Sequence, residues 1–211
     1  KTAPTTEQVN TIQAIKIAFS DRSYTLLFFG FFVCGFHVQF IGTHLPAYII
    51  DEGLTPIIGA WSLALIGLFN IAGSFFSGWS GQVYSKPKLL SGIYAFRAAV
   101  ISAFIFVPLS ETSVLIFSAA MGILWLSTVP LTTGLIAQTQ GLKFLSTLAG
   151  LVFFSHQVGG FLGAWLGGRL YDLTGNYEAM WIAAILFGLL ATVIHLPIRE
   201  TAGKLAQVEF K

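Results

Sequence analysis

Two histidines, His37 and His44, sit inside the run Phe28 to Ile50, 23 residues without Asp, Glu, Lys or Arg. An imidazole titrates near neutral pH, so each can carry a proton or donate a hydrogen bond to a solute. Each can equally be a packed side chain bonded to a carbonyl. Seven steps of about 100° bring His44 back over His37, so both share one helix face. Gln39 lies about 200° away from His37 and is expected to bond to a neighbouring helix. Other apolar runs hold Asn70, Arg97, Trp125 and the pair His156-Gln157. A central Arg costs at least ~2.5–3.5 kcal/mol to insert into a bilayer, so Arg97 needs a partner. That partner is an anionic solute, or the backbone carbonyls of a packed helix. Three in-span histidines without an in-span carboxylate make a poor ligand set, so no metal or other cofactor is expected. No nucleophile–base pairing or phosphate loop is visible, which argues against an enzyme. Nothing points to nucleic acid.

The elements that position these residues are apolar spans. The chain has 211 residues, 55% hydrophobic and only 9% charged, whereas soluble domains carry near 25% charge. An all-α integral membrane protein follows. Residues 1–24 read as a polar linker with an amphipathic patch at Ile12, Ile15, Ile17 and Phe19. Six transmembrane helices are expected at about 26–50, 57–79, 89–109, 114–137, 146–170 and 177–197. Together they form a domain over 25–200, with a tail at 201–211. The sole cysteine, Cys34, reads as a small packing residue. The chain starts without Met, which suggests a fragment or a processed chain.

Charge alternates between the connecting segments. Lys1, Lys16, Arg22, Lys86, Lys88, Lys143, Arg199, Lys204 and Lys211 fall on one side. Asp51, Glu52, Glu111, Asp172 and Glu178 fall on the other, with Arg169 as the only base there. The positive-inside rule then puts both termini in the cytoplasm, in agreement with an even number of spans.

A constant shift lays Asn70 over Gln157, Gly73 over Gly160, Gly81 over Gly168 and Tyr84 over Tyr171. The second and fifth spans run in opposite directions, so the six helices form a 3+3 inverted repeat. Such repeats, with polar groups at mid-depth, characterise many secondary transporters. Gly159, Gly163 and Gly167, flanked by Gly160, Ala164 and Gly168, make two small-residue rows that admit a close helix neighbour. Pro46 removes a backbone hydrogen bond near the end of the first span, giving a gating kink or a passive bend.

Several stretches resemble the C-terminal six-helix half of a bacterial major facilitator superfamily transporter. They are GFFVCGFHVQFIGTHLPAYI, GLFNIAGSFFSGWSGQVYSKPKLL, IYAFRA, STVPLTTGLIAQ and LAGLVFFSHQVGGFLGAWLGGRLYDLTGNYEAMW. Within them, Gly78 to Lys88 resembles the superfamily's glycine-then-basic loop, with Gly81, Lys86 and Lys88 at gating positions and Gln82 where an acid is usual. The nearest look is to monocarboxylate-type and small-organic-anion carriers. Those place an Arg in helix 8 and, in some, a Lys in helix 11. The corresponding stretches here hold Asn70 with Ser74, and His156 with Gln157.

The resemblance implies secondary active transport of a small solute by alternating access in the bacterial inner membrane. The solute class it suggests is a small organic anion, with proton coupling through His37 or His44. The solute would meet His37, Asn70, Arg97, Trp125, His156 and Gln157, facing an N-terminal six-helix half as partner. An acid on that half is a further candidate partner for Arg97. The competing reading is a membrane scaffold, or a half-carrier inactive without its other half.

Overall fold

The computed structural model describes residues 9–209. Asn10 opens the first helix, α1 (Thr11–Ser20), with a capping box: its side chain accepts from the Gln13 amide while Gln13 reaches back. Asp21 ends α1 and at once caps α2 (Arg22–Asp51) by accepting from the Ser23 amide at 2.8 Å. The boundary expected at Tyr24 therefore lies at Asp21, where that carboxylate satisfies the new helix. α2 runs unbroken through Pro46. The start of α3 (Pro56–Val83) packs there, since a Cβ on Gly59 would lie 3.3 Å from the Pro46 ring.

α4 (Lys86–Phe106) stops short of the expected position 109, because Pro108 biases Val107 away from helical angles. The expected fourth span is two helices, α5 (Glu111–Leu124) and α6 (Thr128–Gln140), broken at residues 125–127. α7 (Leu145–Thr174) ends on Gly175 in the left-handed conformation at φ 74°. α8 (Glu178–His195) closes ahead of Pro197, and the tail forms a short α9 (Lys204–Glu209). With α5 and α6 taken as one span, six helical segments among the described residues are long and apolar enough to cross a membrane.

The helices pair as an inverted repeat requires. α2 lies along α7, α3 along α5, and α4 along α8. The first two crossings are tight, and glycines make them so. A Cβ on Gly35 of α2 would stand 1.8 Å from the His156 carbonyl of α7, and one on Gly159 would stand 2.0 Å from that of Phe32. The shift that superposes Asn70 on Gln157 also carries Gly35 onto Gly122. In the second crossing a Cβ on Gly122 would stand 2.8 Å from the Ile66 carbonyl, and one on Gly73 1.9 Å from that of Ile123. Gly163 and Gly167 continue the first seam against the Phe36 carbonyl and the His44 ring, and Gly81 continues the second against Leu131.

The basic ends of the helices are tied together. Lys86 Nζ donates to Gln138 Oε1 at 2.7 Å and lies 3.6 Å from Glu200 Oε1, which also accepts from the Lys86 amide at 3.0 Å. Lys88 is exposed.

A methyl group separates structural from idle glycines. Gly159→Ala should lower the thermal unfolding midpoint of the full-length protein in detergent, by the equivalent of about 1–3 kcal/mol. Gly150→Ala, whose Cβ meets nothing within 4 Å, should leave it unchanged or raise it slightly. Equal midpoints would refute the close-approach account.

Candidate functional site

The break between α5 and α6 follows from Pro130. Proline has no N–H to give the Leu126 carbonyl, and its ring crowds that oxygen. The chain tightens instead: the Val129 amide bonds to Leu126 O at 2.9 Å, and the Trp125 amide to Gly122 O at 3.1 Å. Backbone groups around 124–127 lose their helical partners, and in a bilayer each must find another.

Side chains from three other helices supply them. Arg97 of α4, wholly buried, donates to Leu124 O from Nε at 3.1 Å and from Nη2 at 2.6 Å, and Nη2 also reaches Trp125 O. Asn70 of α3 accepts from the Leu126 amide at 3.0 Å, and Ser77 donates to Ser127 O. Cys34 of α2 lies 3.1 Å from Thr128 Oγ1 and within 4.0 Å of Trp125 O. Arg97 also lies over the Tyr94 ring, 5.3 Å from its centroid, and Tyr94 is held by a 3.0 Å bond to Gly30 O. Three buried polar atoms have no partner around this cluster: Arg97 Nη1, His37 Nδ1 and Thr132 Oγ1.

His37 is fully buried, with Nε2 2.7 Å from Ala184 O of α8. His44 places Nε2 2.8 Å from Ala164 O of α7. A carbonyl can only accept, so both nitrogens carry the proton and donate. The shared face of α2 thus straddles two neighbours, and each imidazole ties α2 to a different one. His195, which sequence reasoning passed over, stacks on Tyr94 at 4.9 Å and fills the space that Gly30 leaves.

A second polar region is open. Gln39 and Gln157 face a groove between α2 and α7, floored by Gly160 and Ala164 and walled by Phe161 and Trp165. The two rings stack at 6.1 Å. His156 flanks this groove, half-buried against Phe31, with Nδ1 3.1 Å from Gln157 Oε1. Gln39 was expected to bond to another helix. It is exposed, and its one side-chain bond, at 3.5 Å, goes to Thr43 of its own helix. Trp125 is half-buried at the break, near Gly42.

The structure therefore gathers Asn70 and Arg97 at the break, with Trp125 beside them, and Gln157 and His156 at the groove. His37, His44 and the glycines lie in helix seams. Sequence spacing had pointed to the polar residues among these, and to Thr132 and Gln39 as well, but not to Ser77, His195, Trp165 or the seam glycines Gly35 and Gly122. Ser77 is a small hydroxyl indistinguishable by type from a helix-packing residue. No His/Cys/Asp/Glu group that could hold a metal occurs among the described residues.

The Major Facilitator Superfamily model matches residues 1–164. The chain belongs to that superfamily. It is 28% identical over 181 residues to an uncharacterized MFS-type transporter, YcxA, of Bacillus subtilis, covering 83% of this chain and 44% of the relative. It is 30% identical over 168 residues to monocarboxylate transporter 13 of Rattus norvegicus, covering 76% and 39%. Monocarboxylate transporter 12-B of Danio rerio is 28% identical over 142 residues, covering 64% and 29%. The chain thus spans less than half the length of these relatives. The superfamily is one of multi-pass membrane transporters, and the relatives above are named as transporters, not enzymes.

Replacing Arg97 with Met strips the donors from two buried carbonyls, at about 1–3 kcal/mol for each group left unbonded. The thermal midpoint should fall for Arg97→Met and fall less for Arg97→Lys, which keeps a donor. A midpoint unchanged in Arg97→Met would remove Arg97 from the support of the break.

Proposed function

We propose that this chain is the C-terminal half of a secondary transporter that moves a small organic anion by alternating access. The observation that carries the reading is Arg97. Its guanidinium sits at mid-span with Nη1 unpartnered, and no ion pair in the described residues involves it. A positive charge met by carbonyls but by no carboxylate, in a low-dielectric bundle, favours an anion nearby. The names of the relatives agree: two are monocarboxylate transporters.

Roles divide along the geometry. Gln39, Gln157 and His156 offer hydrogen bonds to a solute in the groove, against the Phe161–Trp165 wall. Asn70 and Arg97 hold the broken helix beside Trp125, and its three-residue hinge is the segment that can flex. The remaining contacts come from an N-terminal six-helix half facing the groove. Proton coupling, first assigned to His37 or His44, falls better to His156. Those two donate to carbonyls inside helix seams, whereas His156 adjoins the open side. The end of the bundle bearing Lys86, Lys88 and Arg199 faces the cytoplasm of a bacterial inner membrane, following the charge split.

The test is uptake by the full-length protein in proteoliposomes, using a panel of short-chain monocarboxylates. At least one should accumulate, faster at lower external pH. Gln157→Ala should raise KM by roughly 10-fold, for a buried polar contact worth about 1–1.5 kcal/mol. His156→Gln should abolish the pH response while leaving uptake driven by the solute gradient. Retained pH dependence would exclude His156 as the proton carrier, and no uptake of any anion would favour a scaffold.

A further inference from the structure

A crevice of about 810 Å³ opens at the basic end of the bundle, between α1, the start of α2, the end of α8 and the tail. Its frame is built from hydrogen bonds. Asp21 Oδ1 accepts from the Ser23 amide at 2.8 Å, and Oδ2 accepts from Gln140 Nε2 at 2.9 Å. The Arg199 amide donates to Ser23 Oγ at 3.1 Å, and the Gly203 amide to Thr139 O at 2.7 Å. The acid in the crevice is thereby committed to the protein, and the nearby Glu200 is committed to Lys86.

Two cations are left over. Arg22 and Arg199 both line the crevice, and neither has an ion-pair partner among the described residues. Hydroxyls of Ser20 and Thr201 stand beside them. The far wall is apolar, made by Ile17, Leu196 and Ile198. Phe29 of α2 and Val193 of α8, within two helical turns of Arg22 and Arg199 along the chain, are exposed large apolar residues, and so is Leu196. On α1, Ala14 and Ala18 are buried while Ile12 is 67% exposed, as on a helix lying in a membrane surface. A paired positive mouth above an apolar flank matches a phosphate carrying acyl chains.

We propose that this crevice holds the phosphate of an anionic phospholipid between Arg22 and Arg199, with its acyl chains along Phe29, Val193 and Leu196. Guanidinium forks suit phosphate oxygens, and basic pockets between transmembrane helices bind lipid headgroups at this depth. The site is separate from the groove between α2 and α7, so its test does not depend on the transported solute.

The test uses full-length protein in nanodiscs of phosphatidylcholine, with or without phosphatidylglycerol, and inorganic phosphate as a third arm. Phosphatidylglycerol should raise the thermal midpoint and remain bound in native mass spectra. Arg22→Gln with Arg199→Gln should weaken that retention about 25-fold, at about five-fold per charge, and leave solute uptake in phosphatidylcholine unchanged. Equal midpoints in the two lipids would overturn the proposal without any variant. The same gain from inorganic phosphate would identify a free-anion site and overturn the lipid assignment. Undiminished retention by the double variant would place the lipid elsewhere.

Discussion

A helix inside a bilayer cannot leave backbone polar groups unbonded, and Pro130 forces this one to do so. Interior proline costs a helix about 3 kcal/mol or more. Here the cost is met across the bundle. Arg97 from α4, Asn70 and Ser77 from α3 and Cys34 from α2 all converge on residues 124–128. Three helices are thereby registered on one three-residue gap. Shifting any of them along its axis would strand a donor or a carbonyl in an apolar medium. The break is therefore less a weakness than the datum against which the neighbouring helices are set.

The glycine crossings make that registration rigid. At Gly35 and Gly159, backbones of α2 and α7 stand closer than a methyl group allows, and Gly73 and Gly122 repeat the arrangement between α3 and α5. Lipid supplies no hydrophobic drive between helices, so close packing of backbones must supply the attraction. The repeat explains why both crossings have the same design. One three-helix unit used twice in opposite orientation needs the same seam twice.

Much of this was legible in the residues alone. Six apolar runs, the charge alternation and the coincidence of Asn70 with Gln157 reveal the architecture, because membrane thickness and inverted symmetry leave direct marks on composition. The Gly35–Gly122 match has the same origin and escaped notice, since a lone glycine in a Gly-rich chain carries little signal. The break was half visible. Trp125 and Pro130 stood out, but the proline alone does not say whether a span kinks or divides. Partner choice was the least readable part. His37 and His44 share a face in sequence, yet one meets α8 and the other α7, because that face points at the seam between them. Gln39 was placed by angle correctly and by environment wrongly, as helical spacing cannot tell a neighbouring helix from an open groove.

Groove and break are joined through very short links. Gln157 bonds to His156, whose carbonyl presses on Gly35 with no room for a Cβ. Next to Gly35, Cys34 touches Thr128 and the Trp125 carbonyl, the same oxygen that Arg97 grips. A displacement of α7 at the groove would press on α2 at Gly35, since the contact has no room for a Cβ. α2 in turn bears on the one segment of the span whose backbone is not locked into helical bonds. Interior packing is too dense to absorb such a shift locally, so the contacts that hold residues 124–128 would feel it. Among those contacts are the bonds of Arg97 to the carbonyls of Leu124 and Trp125.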